Sequence, residues 1–196
     1  LLQSALLNDS KELQEKGVTF PQFDTNQVKE ATLQEPVWLH CGAGNIFRAF
    51  LGSAQQHILN EGFAEKGIIA AEGYDYEIVD LMREYDNLTI NVTLKESGQV
   101  DYEVVSSIVE YLKMDLQSEE FQTLKDIFKA PSLQLVSFTI TEKGYSITDA
   151  SGAYSKVVQE DFQNGPQHVQ SYIGKVVYLL HERYQAGKHP LALVSM

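Results

Sequence analysis

The chain has 196 residues, 43% of them hydrophobic and 10% aromatic, enough to bury one full core and ordinary for a globular domain. Its 27 acidic against 15 basic side chains give a formal charge of −12, the wrong sign for a nucleic-acid partner, whose phosphates call for Lys and Arg. The single cysteine, Cys41, excludes a disulfide framework, and neither a membrane span nor a signal peptide is read from the apolar runs, so a reducing, cytoplasmic setting is expected.

In chain order, Leu2 to Lys16 predicts a helix closed by Gly17, part of an N-terminal helical extension over residues 1–35. Val37 to Cys41, released from any preceding helix by Pro36, reads as a buried parallel strand. Beyond it, Ile46, Phe50, Leu51, Ala54, Ile58 and Leu59 recur at helical spacing, with Gly62 at the C-terminal cap. Ile68 to Ala71 predicts a second buried strand, ending in Glu72, and Tyr76 to Tyr85 a short helix. Leu88 to Leu94 and Tyr102 to Val109 are β-rich runs around Ser97-Gly98, either a hairpin or an edge insertion. Ser118 caps a predicted helix to Lys129 with Glu119 and Glu120 in its favourable first turn, and Leu133 to Thr139 reads as a core strand. After a polar loop, Ser146 to Gly152, Pro166 opens a predicted helix whose apolar face is Val169, Ile173, Val176, Val177, Leu180 and Tyr184. Gly187 and Pro190 end it, and Leu191 to Met196 predicts the last strand. This alternation predicts an α/β domain over 36–196: a doubly wound, mostly parallel sheet with helices on both faces.

The chemistry concentrates where the first strand hands over to a helix, at Gly42-Ala43-Gly44-Asn45-Ile46-Phe47-Arg48. Gly42 permits a tight turn, Gly44 lets bare backbone approach a phosphate, and the amides and dipole of the helix hold the anion, as in a dinucleotide-binding turn. Phe47 stands where the third glycine of that fingerprint belongs, and Glu72 follows Gly42 by 72 − 42 = 30 residues, later than the usual spacing of about 20. Glu72 is the candidate acceptor for the adenosine ribose hydroxyls, which favours NAD over NADP by repelling a 2′-phosphate; it is otherwise a solvated strand-end acid, and Asp75 is its rival. Arg48 either reaches a phosphate or pairs with an acid across the loop. Glu142 and Lys143 follow a strand whose end faces the same crevice, and either approach nicotinamide or substrate or form a loop salt bridge. His40 reads as a packed core histidine. His57, His168, His181 and His189 lack metal-ligand spacing, so no metal site is expected. No GxSxG or Cys–His arrangement suggests a nucleophilic hydrolase.

The segment His40-Cys41-Gly42-Ala43-Gly44-Asn45-Ile46-Phe47-Arg48-Ala49 resembles the N-terminal fingerprint of the mannitol dehydrogenase family. These long-chain polyol and hexuronate dehydrogenases include fructuronate and tagaturonate reductases and mannitol 2-dehydrogenase, and a non-glycine at the third position is common among them. Thr139-Ile140-Thr141-Glu142-Lys143-Gly144-Tyr145 is similar to the family's Thr-x-Thr-Glu-x-Gly-Tyr segment, and Leu191 to Met196 resembles the run leading into its Ser-x-Asp-Asn motif. The resemblance implies a Rossmann-like nucleotide-binding domain, NAD as cofactor and Thr141 beside it. It implies a sugar acid or polyol as substrate, interconverted with its keto form. It also implies that the catalytic lysine, asparagine and histidine belong to a helical C-terminal domain beyond Met196, so none is expected within these residues. The contrasting expectation is a stand-alone dinucleotide-binding module or redox sensor.

Overall fold

Strand-forming and helix-forming segments alternate in the computed structural model, which describes residues 11–196 apart from the side chains of Glu142 and Lys143. Of the helix expected over Leu2 to Lys16, the part before Lys11 lies outside the described residues; α1 (Lys11–Glu15) is its described end. A two-residue strand, β1 (Val18–Thr19), leads to α2 (Thr25–Gln34), which Asp24 caps by accepting the Asn26 and Gln27 amides. Then come β2 (Trp38–Cys41), a π-helical turn (Phe47–Gly52) running into α3 (Ser53–Asn60), β3 (Ile68–Glu72) and α4 (Tyr76–Glu84). The middle of the chain forms β4 (Thr89–Leu94), β5 (Val100–Val105), β6 (Ile108–Lys113) and α5 (Glu119–Lys129). The remainder forms β7 (Leu135–Phe138), α6 (Glu142–Tyr145), α7 (Lys156–Asn164), a 3-10 turn (Pro166–His168), α8 (Tyr172–Ala186) and β8 (Ala192–Ser195).

Five strands pair in the order β6-β3-β2-β7-β8, every pairing parallel. Side chains alternate across such a sheet, and the two resulting apolar faces each receive helices. Leu39, Cys41, Ile69 and Ala71 pack with Phe121 and Phe128 of α5 and Val176 and Leu179 of α8. Ile68, Ala70 and Tyr111 pack with Phe47 and Leu51 of the π-turn and Val79 and Met82 of α4. The chain winds outward from β2 through β3 to β6, then returns to β7 on the other side of β2. The winding direction thus reverses between β2 and β7, and open α/β sheets bind ligands in the crevice outside the C-terminal ends of their strands at such a switch point. No helix among the described residues is long and apolar enough to cross a membrane.

Three differences from the sequence reading matter most. The run Tyr102 to Val109 is not one strand: β5 ends at Val105 and joins an antiparallel hairpin with β4 in a separate sheet, ordered β1-β5-β4. β6 starts afresh at Ile108 and belongs to the main sheet. The break is Ser106-Ser107, whose polar groups turn the chain: the Ser107 hydroxyl donates to the Gly52 carbonyl (2.6 Å) and its carbonyl accepts from Ile68 N (2.8 Å). Pro166 opens only a 3-10 turn; α8 begins six residues later (172 − 166), where the Ser171 hydroxyl caps by accepting from Gly174 N. The third difference, the π-turn, shapes the site.

Arg183, in the last turn of α8, is 3% exposed. All five of its N–H groups donate to carbonyls: Phe128, Ala130, Leu133, His189 and Pro190, at 2.7–3.0 Å. It thereby ties the end of α5 to the chain entering β7 and β8. Arg183→Leu strands these acceptors at about 1–3 kcal/mol for each that stays unsatisfied. The expected loss is roughly 3–5 kcal/mol, and the melting temperature falls by about 10 °C. Arg183→Lys, with three donors, should recover only part of it. A melting curve unchanged in Arg183→Leu would refute this role.

Candidate functional site

At the crevice the backbone passes from β2 into Gly42, which adopts φ +115°, and the Gly42 amide extends the sheet by donating to Ala71 O (2.8 Å). A Cβ on Gly42 would lie 3.1 Å from the Thr139 carbonyl oxygen just past β7, so conformation and space both demand glycine. Gly44 differs: an added Cβ would meet nothing within 4 Å. Gly44 instead borders a cavity of about 300 Å³ lined by Ala43, Gly44, Asn45, Arg48, Glu72 and Asp75, together with Ile78 of α4.

Phe47, in the position of the missing third glycine, is fully buried and stacks on His40 of β2 with ring centroids 3.9 Å apart and planes 5° from parallel. That glycine ordinarily allows close helix–strand packing. Here Gly52 takes over that task at the end of the π-turn: a Cβ there would sit 2.9 Å from Ile108 Cδ1 of β6. The helix thus stands off the sheet by a ring at its start and closes onto it a turn later. The wider π geometry accommodates the change.

Glu72 ends β3 with its side chain turned inward. One carboxylate oxygen accepts from Ala43 N (2.8 Å); the other accepts from Gly73 N and Tyr74 N (both 2.9 Å) and from Asp75 N (3.4 Å). Three amides share one carboxylate oxygen and one holds the other, and the residue is 8% exposed. Glu72 therefore staples the glycine turn to the loop after β3. Asp75 is exposed, lines the cavity and caps α4 through one carboxylate oxygen, which accepts from Ile78 N at 3.4 Å. Arg48 lies along the cavity wall, donating to Asn45 Oδ1 and approaching Met82 Sδ (2.7 Å), and its buried Nε has no partner.

Behind the turn, His40 is fully buried between Ser137 and Thr139, with Nδ1 2.7 Å from Ser137 Oγ and Nε2 2.8 Å from Thr139 Oγ1. Burial pushes its pKa down to about 3, so the ring is neutral, in keeping with the packed-core reading.

Of the residues singled out by sequence, the structure brings Gly42, Ala43, Gly44, Asn45, Arg48, Glu72 and Asp75 together. Ile46 belongs to the same turn but points to solvent, 73% exposed, while Phe47 supports the turn from within. Thr141 is exposed and stands outside the cavity lining; its carbonyl accepts from Gly144 N (2.7 Å). Glu142 and Lys143 open α6 directly after it, and their side chains lie outside the described part. The sequence reading named Thr139 only as the first residue of a family-like segment, without a role, and missed Gly52. Thr139 carried a signal: it is the first residue past a strand in register with β2, hence level with Gly42.

The model of the mannitol dehydrogenase Rossmann domain matches residues 37–195. Over 196 residues the chain is 42% identical to a D-mannonate oxidoreductase of Thermotoga maritima, covering 100% of this chain and 36% of that protein. It is 28% identical over 185 residues to a polyol:NADP oxidoreductase of Gluconobacter oxydans, covering 91% of this chain and 36% of the relative. Among solved structures, Pseudomonas fluorescens mannitol 2-dehydrogenase, in a ternary complex with NAD and D-mannitol, has the same fold. Its TM-score is 0.79 at 23% identity, over 99% of this chain and 38% of that one. This chain therefore belongs to the mannitol dehydrogenase family, aligning with its Rossmann domain and spanning 36% of the length of these relatives.

Proposed function

We propose that the crevice binds NAD(H), with the diphosphate on the Gly42–Arg48 turn, and that the protein is an oxidoreductase interconverting a hexuronate or polyol with its keto form. Fructuronate reductase, equivalently D-mannonate oxidoreductase, is the first choice of substrate because of the 42% identity to the Thermotoga protein of that name; mannitol 2-dehydrogenase is the second. The observation that carries the cofactor reading is the glycine turn at the switch point of the sheet, bordered by an open cavity and fixed by Glu72. The nicotinamide supplies the hydride chemistry; this chain binds and orients it.

In this reading the two acids divide the work. Glu72, buried and held by four loop amides, positions the turn, and Asp75, exposed at the cavity, receives the ribose hydroxyls and repels a 2′-phosphate. Asp75→Ser should narrow the preference for NADH over NADPH by roughly tenfold, the worth of one charge-assisted contact, without moving the melting temperature. Glu72→Gln should weaken both cofactors alike and lower the melting temperature, because a neutral amide offers its NH2 where an acceptor is needed. Calorimetric titration of wild type and both variants with the two cofactors distinguishes these patterns. A selectivity change in Glu72→Gln and none in Asp75→Ser would reverse the assignment, and wild type that binds neither cofactor would defeat the reading altogether.

A further inference from the structure

Between β2 and β7 four polar side chains are joined in a line: Trp38, Ser137, His40 and Thr139. The direction of each hydrogen bond follows from what each group can do. The Trp38 indole only donates, so Ser137 Oγ accepts from it at 2.7 Å. Ser137 is fully buried; were it also to accept from His40, its own proton would be left unpaired, which is costly. Ser137 therefore donates to His40 Nδ1, which places the single proton of the neutral ring on Nε2, and Nε2–H donates to Thr139 Oγ1 at 2.8 Å. Every donor in the line points toward the C-terminal edge of the sheet. Aligned bonds of this kind strengthen one another.

Thr139 is the last member and is half-buried. Its hydroxyl, having accepted from His40, has its own proton left to give. Its amide is engaged with Cys41 O (3.2 Å), and the hydroxyl oxygen stands 3.3 Å from the position of a Cβ on Gly42, beside the turn proposed to hold the diphosphate. An oriented hydroxyl at the end of a line of donors suits an anionic acceptor. We infer that Thr139 binds the dinucleotide, its hydroxyl held in place by His40 and donating to a diphosphate oxygen where the cofactor crosses from β2 to β7. This rests on the cofactor reading above. It adds a ligand from the second half of the sheet and gives the buried His40–Ser137 pair a positioning role.

The test compares Thr139→Val, which keeps the shape and removes the hydroxyl, with Thr139→Ser, which keeps the hydroxyl. Each is titrated with NADH, ADP-ribose and AMP and melted without ligand. Thr139→Val should bind NADH and ADP-ribose roughly tenfold more weakly, as expected for a hydrogen bond to a charged acceptor, and AMP, which has no diphosphate, as wild type does. Thr139→Ser should stay within about twofold of wild type. ADP-ribose binding by Thr139→Val equal to wild type would overturn the inference. So would equal weakening of all three ligands with a lowered melting temperature, since the hydroxyl would then serve only the fold. Wild type that binds none of the three would refute the cofactor reading itself, a result distinct from either.

Discussion

Residues 1–196 prepared alone and supplied with NADH and fructuronate are expected to bind the cofactor and to show almost no turnover. Reducing a keto group needs a proton donor within about 2.6–3.2 Å of the oxygen as well as an aligned nicotinamide. The described side chains around the crevice do not offer that donor. Arg48 is engaged with Asn45 Oδ1. His40, its pKa pushed down to about 3, has none to give as an acid. Glu72 accepts from four loop amides, and Thr139 is an alcohol. We expect the proton donor and the groups that fix the sugar hydroxyls in the part of the longer relatives that this chain does not span. Losing general acid catalysis removes about 10²–10⁴ in rate, and losing substrate orientation removes up to ~7–11 kcal/mol more. Cofactor affinity should survive, because the determinants proposed for it are the turn, the cavity and the clip at Glu72. The measurement is NADH oxidation at high protein concentration, beside a full-length family member. Turnover within about tenfold of that enzyme would place the catalytic groups inside these residues and defeat the division of labour argued here.

What the sequence made legible was determined by local rules, and what it hid depended on residues far apart in the chain. Val37 to Cys41 and Ile68 to Ala71 could be read because a strand buried on both faces is mostly apolar, His40 being the one polar side chain, and Gly42 because nothing else tolerates its turn. Phe47 looked like a defect in the fingerprint because the compensating glycine, Gly52, lies five residues on (52 − 47) and acts against Ile108, a contact no local pattern reports. Ser106-Ser107 hid a change of sheet for a similar reason: both residues are common in hairpins, and only pairing with Gly52 and Gln56 shows them as a corner. Glu72 was found by its place at a strand end, but that place does not reveal which way the carboxylate turns. Four loop amides draw it inward and leave Asp75 exposed at the cavity.

Gly44→Val is expected to abolish measurable NADH binding while leaving the fold almost intact, and the two effects can be estimated separately. An added Cβ meets nothing within 4 Å, and the residue is not among the glycines with positive φ, so the backbone accepts a side chain. Valine in place of glycine at the helix start costs about 1 kcal/mol at most, a shift of about 2–4 °C in a chain of this size. For the cofactor the same side chain stands between the turn's amides and the diphosphate. Two charge-assisted hydrogen bonds lost at roughly 1.5–3 kcal/mol each weaken binding by about 100-fold or more. Gly42→Ala should behave in the opposite way. Its φ of +115° and the Thr139 oxygen 3.1 Å from the new Cβ make it primarily a folding defect, costing about 1–3 kcal/mol from the backbone alone. Paired melting curves and NADH titrations of the two variants separate an open glycine that admits a ligand from a strained one that makes the turn. If Gly44→Val bound NADH like wild type at an unchanged melting temperature, the diphosphate would not lie on this turn.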